Sequence, residues 1–203
     1  MKIRHAAIFL ALPLLCTTAQ ANSFLHYAGE FNFRTGEKQN NVTIAGLSAI
    51  TFDAKKNIFY AINDSRNNNK EGDASLYTLK IQVSSRGIEQ VNFLNQRPLL
   101  DAKQQPFVTN TVDAEGLALT HNGKSLLWSS ELGAPLRLST LDGVMEKDFT
   151  SLFPARFNIS SDKESSNGIR SGNAWEGLTV TPDGKSLFIA VESSQIGRAS
   201  CRE

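Results

Sequence analysis

"EGLALTHNGKSLLWSSE", residues 115–131, has a near copy in "EGLTVTPDGKSLFIAVE", residues 176–192. Each copy begins and ends with a glutamate and carries Asn-Gly or Asp-Gly between two apolar runs. These dipeptides favour the tight turns that join antiparallel strands. The residues before and after each dipeptide are rich in the apolar side chains that strands bury. The two copies therefore predict two β-hairpins of the same design.

A looser first copy, "AGLSAITFDAKKNIFYAINDS", begins at Ala45. If Gly46 corresponds to Gly116 and Gly177, the copies are 70 and 61 residues apart and the first turn lies near residues 56–57. These spacings exceed the ~40–50 residues of a typical propeller blade. Polar insertions such as "NDSRNNNKEGDAS" and "ISSDKESSNGIRSGN" explain the extra length.

Further strands are predicted between the copies, in "SLYTLKIQV", "GIEQVNFL" and "LRLSTL". The chain after its first residues shows no long amphipathic helix. Several strands per repeat favour an all-β fold, a β-propeller represented here by its N-terminal blades. We expect nine apolar residues to pack between the hairpins: Leu117, Leu119, Leu126, Leu127, Leu178, Val180, Leu187, Phe188 and Ile189.

Both ends of the 203-residue chain are expected to lie outside this domain, which spans residues 22–194. Residues 1–21 have the pattern of a cleaved secretory signal, with Ala19-Gln20-Ala21 at the cleavage site, and predict a periplasmic or secreted protein. Their apolar run is too short to span a bilayer. Residues 195–203, "QIGRASCRE", match the translation of a common sequencing adapter, which predicts a truncated chain. The mature domain then has no cysteine.

The glutamates of each copy are predicted to lie at the open end of its hairpin. Counting outward from the turns, Glu115 falls almost opposite Glu131, and Glu176 almost opposite Glu192. In successive blades these ends lie on one rim. Opposed like charges destabilise a sheet, so the glutamates need a cation, a raised pKa or solvent. The alternative is that they extend into water or bond backbone N–H groups.

The three motifs together resemble those of the esterase-like phytase family, secreted proteins expected to form a β-propeller related to the calcium-dependent phytases. The resemblance runs from about Gly46 to Ser193 and implies a hydrolase. Two features depart from the family pattern: Trp175 replaces a more usual Phe, and Asn173 lies unusually close to Glu176. Position by position, the pattern marks Asp64, Arg66, Asp113, Glu115, Glu131, Arg170, Asn173, Glu176 and Glu192.

The residue types exclude several chemistries. There is no G-x-S-x-G elbow, Ser48 has the context of an ordinary strand residue, and His121 that of a solvated turn residue. A zinc site would need His or Cys clusters, which the sequence lacks. Carboxylate oxygens instead suit Ca²⁺. The predicted calcium ligands are Asp64, Asp113, Glu115, Glu131, Glu176 and Glu192; the residues from Asn63 to Asp73 form a polar insertion without the spacing of a calcium loop.

The near-neutral charge, +1 overall, offers no basic field for nucleic acid or an anionic membrane. The leading hypothesis is a secreted hydrolase that cleaves small phosphate esters with calcium, monomeric at full length. Glu115, Glu176 and Arg66 are its predicted catalytic residues, and Arg66, Arg170 and Asn173 bind substrate. The alternatives are a calcium-dependent lactonase or esterase, and a non-catalytic propeller that binds a glycan or a protein.

Overall fold

The computed structural model describes residues 27–34, 36–39, 41–70, 72–160 and 168–193. The predicted signal with its cleavage after Ala21 and the predicted adapter-derived tail lie outside these residues. Within the described ranges, no helix has the length and apolar character needed to cross a membrane.

The described residues form β-strands joined by turns and two short 3₁₀ helices, Thr150–Leu152 and Ala155–Phe157. The strands are β1 (Lys38–Gln39), β2 (Val42–Thr43), β3 (Leu47–Asp53), β4 (Ile58–Asn63), β5 (Ser75–Ser84), β6 (Gly87–Pro98), β7 (Ala114–Leu119), β8 (Ser125–Ser130), β9 (Leu136–Thr140), β10 (Met145–Asp148), β11 (Ile159–Ser160), β12 (Ile169–Arg170), β13 (Trp175–Val180) and β14 (Leu187–Val191).

Two antiparallel four-stranded sheets follow one another along the chain. The first runs in the order β3-β4-β5-β6 and the second in the order β7-β8-β9-β10, while β13 and β14 form the next hairpin. The first strands of the three units, β3, β7 and β13, lie side by side. Successive meanders with adjacent first strands are the blades of a β-propeller. The predicted fold is confirmed, as are the three additional strands.

The turns lie where the dipeptides predict them, but each loop has four residues rather than two. Thr120 N–H donates to Ser125 O at 2.9 Å, and Gly123, with φ +69°, ends the turn. The Asn122 side chain accepts the Lys124 N–H at 3.0 Å. Residues 181–186 repeat this pattern, with Asp183 in the place of Asn122. A side chain that bonds its own turn explains why Asn and Asp suit this position.

The main core lies between the first two blades. Leu117, Leu126 and Trp128 are buried there with Ile62 of β4, and the half-buried Leu119 packs against them. Strand β8 pairs with β7 on one edge and with β9 on the other.

The third hairpin departs from the predicted packing. Phe188 is 63% exposed, against the expectation that it packs between hairpins. Within the described residues β14 pairs only with β13, and it is β13 that packs against β7 and β8. Ile189 does contact a small core around Trp175. The other four of the nine residues predicted to pack between hairpins are half-buried: Leu127, Leu178, Val180 and Leu187.

Candidate functional site

Bulges at the open ends of the hairpins determine which acidic residues face each other. In the second blade Leu117 pairs with Trp128, but Ala114 pairs with Ser130, so the register shifts by one residue between them. Glu131 N–H consequently donates to Asp113 O at 2.9 Å. The predicted opposition of Glu115 and Glu131 is wrong, because Glu115 lies in the bulge.

The third hairpin repeats the same shift. Trp175 pairs with Val191, and Glu192 N–H donates to Ala174 O at 2.9 Å. Glu176 therefore lies in a bulge, as Glu115 does, and Glu192 faces Ala174. A bulge turns a side chain away from its regular direction. Glu115 and Glu176 are thereby presented at the rim rather than held in the ladder.

The first copy also forms a hairpin with a bulge at its open end, but it aligns with the other two copies through residues other than those predicted. Leu47 pairs with Asn63 next to a bulge, which makes Leu47 equivalent to Ala114 and Trp175, at spacings of 67 and 61 residues. The alignment through Gly46 is therefore wrong. The turn predicted near residues 56–57 is confirmed, because the loop between β3 and β4 spans residues 54–57. Ser48 stands in this blade where Glu115 stands in the next.

Gly46 is not the counterpart of Gly116 and Gly177, but its own backbone conformation and surroundings require a glycine. Its φ is +57°, and a Cβ there would collide with the Asp64 carboxylate. Asp64 N–H also donates to Gly46 O at 2.9 Å. The register makes Asp64 equivalent to Glu131 and Glu192, so the rim carries one acidic residue at this position in all three units.

Five carboxylates meet at the rim in two overlapping groups. Oxygens of Asp113, Glu115 and Glu131 lie within 4.8 Å of one another, and so do oxygens of Glu131, Glu176 and Glu192. Glu131 belongs to both groups. We call these five residues the carboxylate cluster; it contains all of the predicted metal ligands except Asp64.

Three donors hold individual members of the cluster. Arg66 Nε and Nη2 donate to Asp113 Oδ2 at 2.9 and 2.5 Å. Ala174 N–H, from the third hairpin, donates to Glu131 Oε1 at 2.6 Å, and Asn173 Nδ2 donates to Glu192 Oε2 at 2.6 Å. Arg66 and Asn173, both predicted to bind substrate, thus hold cluster carboxylates.

One carboxylate oxygen of the cluster has no donor. Asp113 is only 1% exposed, and its Oδ1 has no hydrogen-bond partner in the described part of the chain. A buried oxygen without a partner is costly and points to a missing ligand.

The cluster is electrostatically strained. Burial, followed by the charges of Glu176 and Asp113, raises the pKa of Glu115 to about 8. Burial and the charges of Glu131 and Glu192 raise the pKa of Glu176. Burial also raises the pKa of Asp113, although its Arg66 partner opposes this shift. Burial is the largest cause of all three shifts, and a bound cation would relieve the part that comes from the neighbouring negative charges.

Arg170 and the Asn-rich insertion lie at the margin of the site. Arg170 is exposed on β12, and its carbonyl accepts the Asn173 N–H at 3.3 Å. In the insertion, Asn63 Oδ1 accepts the Ser75 N–H and Asn67 Oδ1 the Ala74 N–H, both at 2.6 Å. These asparagine oxygens bond the backbone of their own loop. His121 is exposed at a turn, as predicted.

Two serines join neighbouring blades beside the cluster. Ser48 lies in strand β3, as predicted, and its Oγ also donates to Ala114 O of the next blade at 2.6 Å. Ser129 Oγ donates to Glu176 O at 2.6 Å. A Cβ on Gly116 would collide with both Ser129 Oγ and Glu176 O. The periodicity of the sequence carries no signal for these contacts.

Arg137 is a further residue that the sequence does not single out. It is buried against the rings of Trp128 and Phe107, at 4.7 and 5.3 Å, and burial lowers its pKa to about 10. Its Nη1 donates to Ala134 O at 2.8 Å. Arg137 thereby supports the loop that follows Glu131. Its sequence context, "LRLSTL", indicates only a strand.

A family model described as "Phytase-like: Esterase-like activity of phytase" matches residues 42–201. The chain belongs to this family. The resemblance of the three hairpin motifs is thus confirmed. No curated protein sequence matches the chain significantly.

Two solved structures are similar in fold to this family member. The periplasmic gluconolactonase PpgL of Pseudomonas aeruginosa is 13% identical, with a TM-score of 0.44 over 74% of this chain and 38% of that one. A candidate 6-phosphogluconolactonase of Bacteroides uniformis is 12% identical, with a TM-score of 0.34 over 76% of this chain and 52% of that one. The chain therefore spans less than two thirds of either structure.

Proposed function

We propose that the protein is a secreted or periplasmic hydrolase that cleaves small phosphate esters with the help of calcium. One observation carries the proposal: five carboxylates meet in two groups around Glu131, and a buried oxygen of Asp113 is left without a donor. Membership of an esterase-like phytase family supports hydrolysis as the reaction class.

The oxygen donors of the cluster fit calcium. Ca²⁺ takes six to eight oxygen ligands, and carboxylates are the commonest of them. Asp113, Glu115 and Glu131 would hold one ion, while Glu176 and Glu192 extend the set through Glu131. Asp64 lies near enough for its charge to raise the pKa of Glu115. Bound calcium would offset substrate charge and polarise the ester oxygen.

The protein's own residues would orient the reactants. Glu115 and Glu176 lie in bulges at the rim and would direct a water molecule towards the ester. Arg66 is 41% exposed at its side chain and would contact a phosphate oxygen while remaining paired with Asp113. Arg170 and the carbonyl of the Asn173 side chain would bind the rest of the substrate. Hydrogen bonds from the Ala174 N–H and the Asn173 side-chain amide fix the positions of Glu131 and Glu192.

The test measures melting temperature and hydrolysis with calcium and with chelator. Calcium that binds only the folded state should stabilise it by about 2.7 kcal/mol at 100 times Kd. Glu115→Gln and Glu176→Gln should each lose most of this gain and of the hydrolysis of phosphate esters, and Arg66→Ala should lose hydrolysis. Glu146→Gln, on β10 away from the cluster, is the matched control.

If neither the melting temperature nor hydrolysis responds to calcium in the wild type, the protein is better explained as a non-catalytic binding propeller. A calcium-dependent lactonase or esterase is the second candidate. The observation in its favour is that both groups share Glu131, because a single ion bound at this residue would suit a lactonase or esterase. Lactone and carboxylic ester substrates belong in the same assay. If the protein hydrolyses lactones or carboxylic esters but no phosphate ester, the lactonase or esterase is the better explanation.

A further inference from the structure

A cavity of about 360 Å³ lies between the second blade and the third hairpin. Its apolar wall consists of the rings of Phe153, Phe157 and Trp175. The ring centroids of Phe153 and Phe157 lie 4.8 and 5.9 Å from that of Trp175, and the Arg156 guanidinium stacks 4.9 Å from the Phe157 ring. The rings therefore hold one another in place. The volume is that of a small-molecule site.

The cavity shares two chain segments with the carboxylate cluster. Gly133, in its wall, follows Glu131 by two residues on the loop after β8. Trp175 lies between Glu176 of the cluster and Ala174, whose N–H donates to Glu131. The cavity wall and the cluster are thus only one or two residues apart along both chain segments.

We propose that the cavity binds the ring of the ester's alcohol group and makes the enzyme prefer ring-bearing esters to short-chain ones. This inference rests on the proposed function. Aromatic side chains bind a flat ring through offset or edge contacts that add to the burial of apolar area. Thr150 and Asn158 are exposed at the cavity wall and would bond the polar substituents of such a ring.

The first measurement is equilibrium binding of phenylphosphonate and methylphosphonate to the calcium-loaded protein by calorimetry. The wild type should bind phenylphosphonate at least roughly tenfold more tightly, as expected for a ring that packs in an apolar pocket. Phe157→Ala should abolish this preference, and Phe157→Leu should reduce it. Phe31→Ala, which removes an exposed ring on the first blade, should leave it unchanged.

The second measurement compares phenyl and methyl esters of whichever acid the protein hydrolyses. For each ester, dividing kcat/KM of the variant by kcat/KM of the wild type removes the intrinsic reactivity of that ester. Phe157→Ala should lower kcat/KM for the phenyl ester about tenfold, mainly through KM, and leave the methyl ester within about twofold. Melting curves identify variants that fail to fold, and Phe157→Leu then provides the comparison.

The two proposals fail in different ways. An enzyme that hydrolyses esters with calcium but shows no preference for phenyl compounds, or one that keeps it in both Phe157 variants, overturns the ring-binding pocket alone. A protein that binds neither phosphonate and hydrolyses no ester with calcium overturns both proposals.

Discussion

The carboxyl group of Glu115 is half-buried in the bulge of β7 and faces other acidic side chains. Burial, then Glu176 and Asp113, raise its pKa from 4.5 to about 8. Its place among the acidic residues of the rim could be predicted from the repeat and the family motif. Its surroundings could not, because the bulge places Asp113, rather than Glu115, opposite Glu131.

This raised pKa predicts that the calcium-free protein loses stability as pH rises. Between about pH 4.5 and pH 8 the folded state keeps a proton on Glu115 that the unfolded chain releases, so the free energy of unfolding falls across this range. Above pH 8 both states are ionised and the loss is complete. Melting temperatures in chelator should show the slope, and Glu115→Gln should flatten it. A stability that rises over the same range would contradict the assignment.

The junction between β7 and β13 depends on the absence of a side chain at Gly116. An added Cβ would collide with Glu176 O and Ser129 Oγ, and would lie 2.8 Å from Leu178 Cβ. Gly177, the equivalent residue of β13, would bring its Cβ no closer than 3.7 Å to Ala190 Cβ. Sequence alignment treats the two glycines alike, but their neighbours differ.

Gly116→Ala should therefore destabilise the protein by about 1–3 kcal/mol, the usual range for overpacking, and should weaken calcium binding by displacing Glu176. Gly177→Ala is the matched control and should change stability by less than about 1 kcal/mol. Denaturant unfolding and calcium titration of both variants measure these effects. Equal losses in the two variants would show that the close approach at Gly116 has no special role.

At the scale of the whole molecule, the described residues of β3 and β14 expose large apolar side chains. Ile50 and Phe52 of β3 are 51% and 45% exposed, and Phe188 of β14 is 63% exposed. Neighbouring blades cover such faces in a propeller, and exposed apolar faces promote association.

Residues 22–194 expressed alone should accordingly self-associate. Analytical ultracentrifugation should detect oligomers or aggregates at micromolar concentration. Ile50→Ser combined with Phe188→Ser should shift the protein towards monomer, whereas serine at Leu94, a 50% exposed residue of β6, should not. A monomeric wild type that unfolds cooperatively would show that these faces need no cover.

The hairpins, their turns and the acidic character of their open ends follow from the amino-acid sequence, because each depends on interactions within about twenty residues. Asn122 and Asp183 bond their own turns, and apolar runs on either side supply the strands. The pairing of Arg66 with Asp113 and the bond from Ala174 to Glu131 depend on how blades pack, across 47 and 43 residues of chain. The bulges that arrange the cluster lie in β3, β7 and β13, the three strands that pack side by side across the blades. The partners within the cluster therefore emerge from tertiary packing rather than from the local pattern.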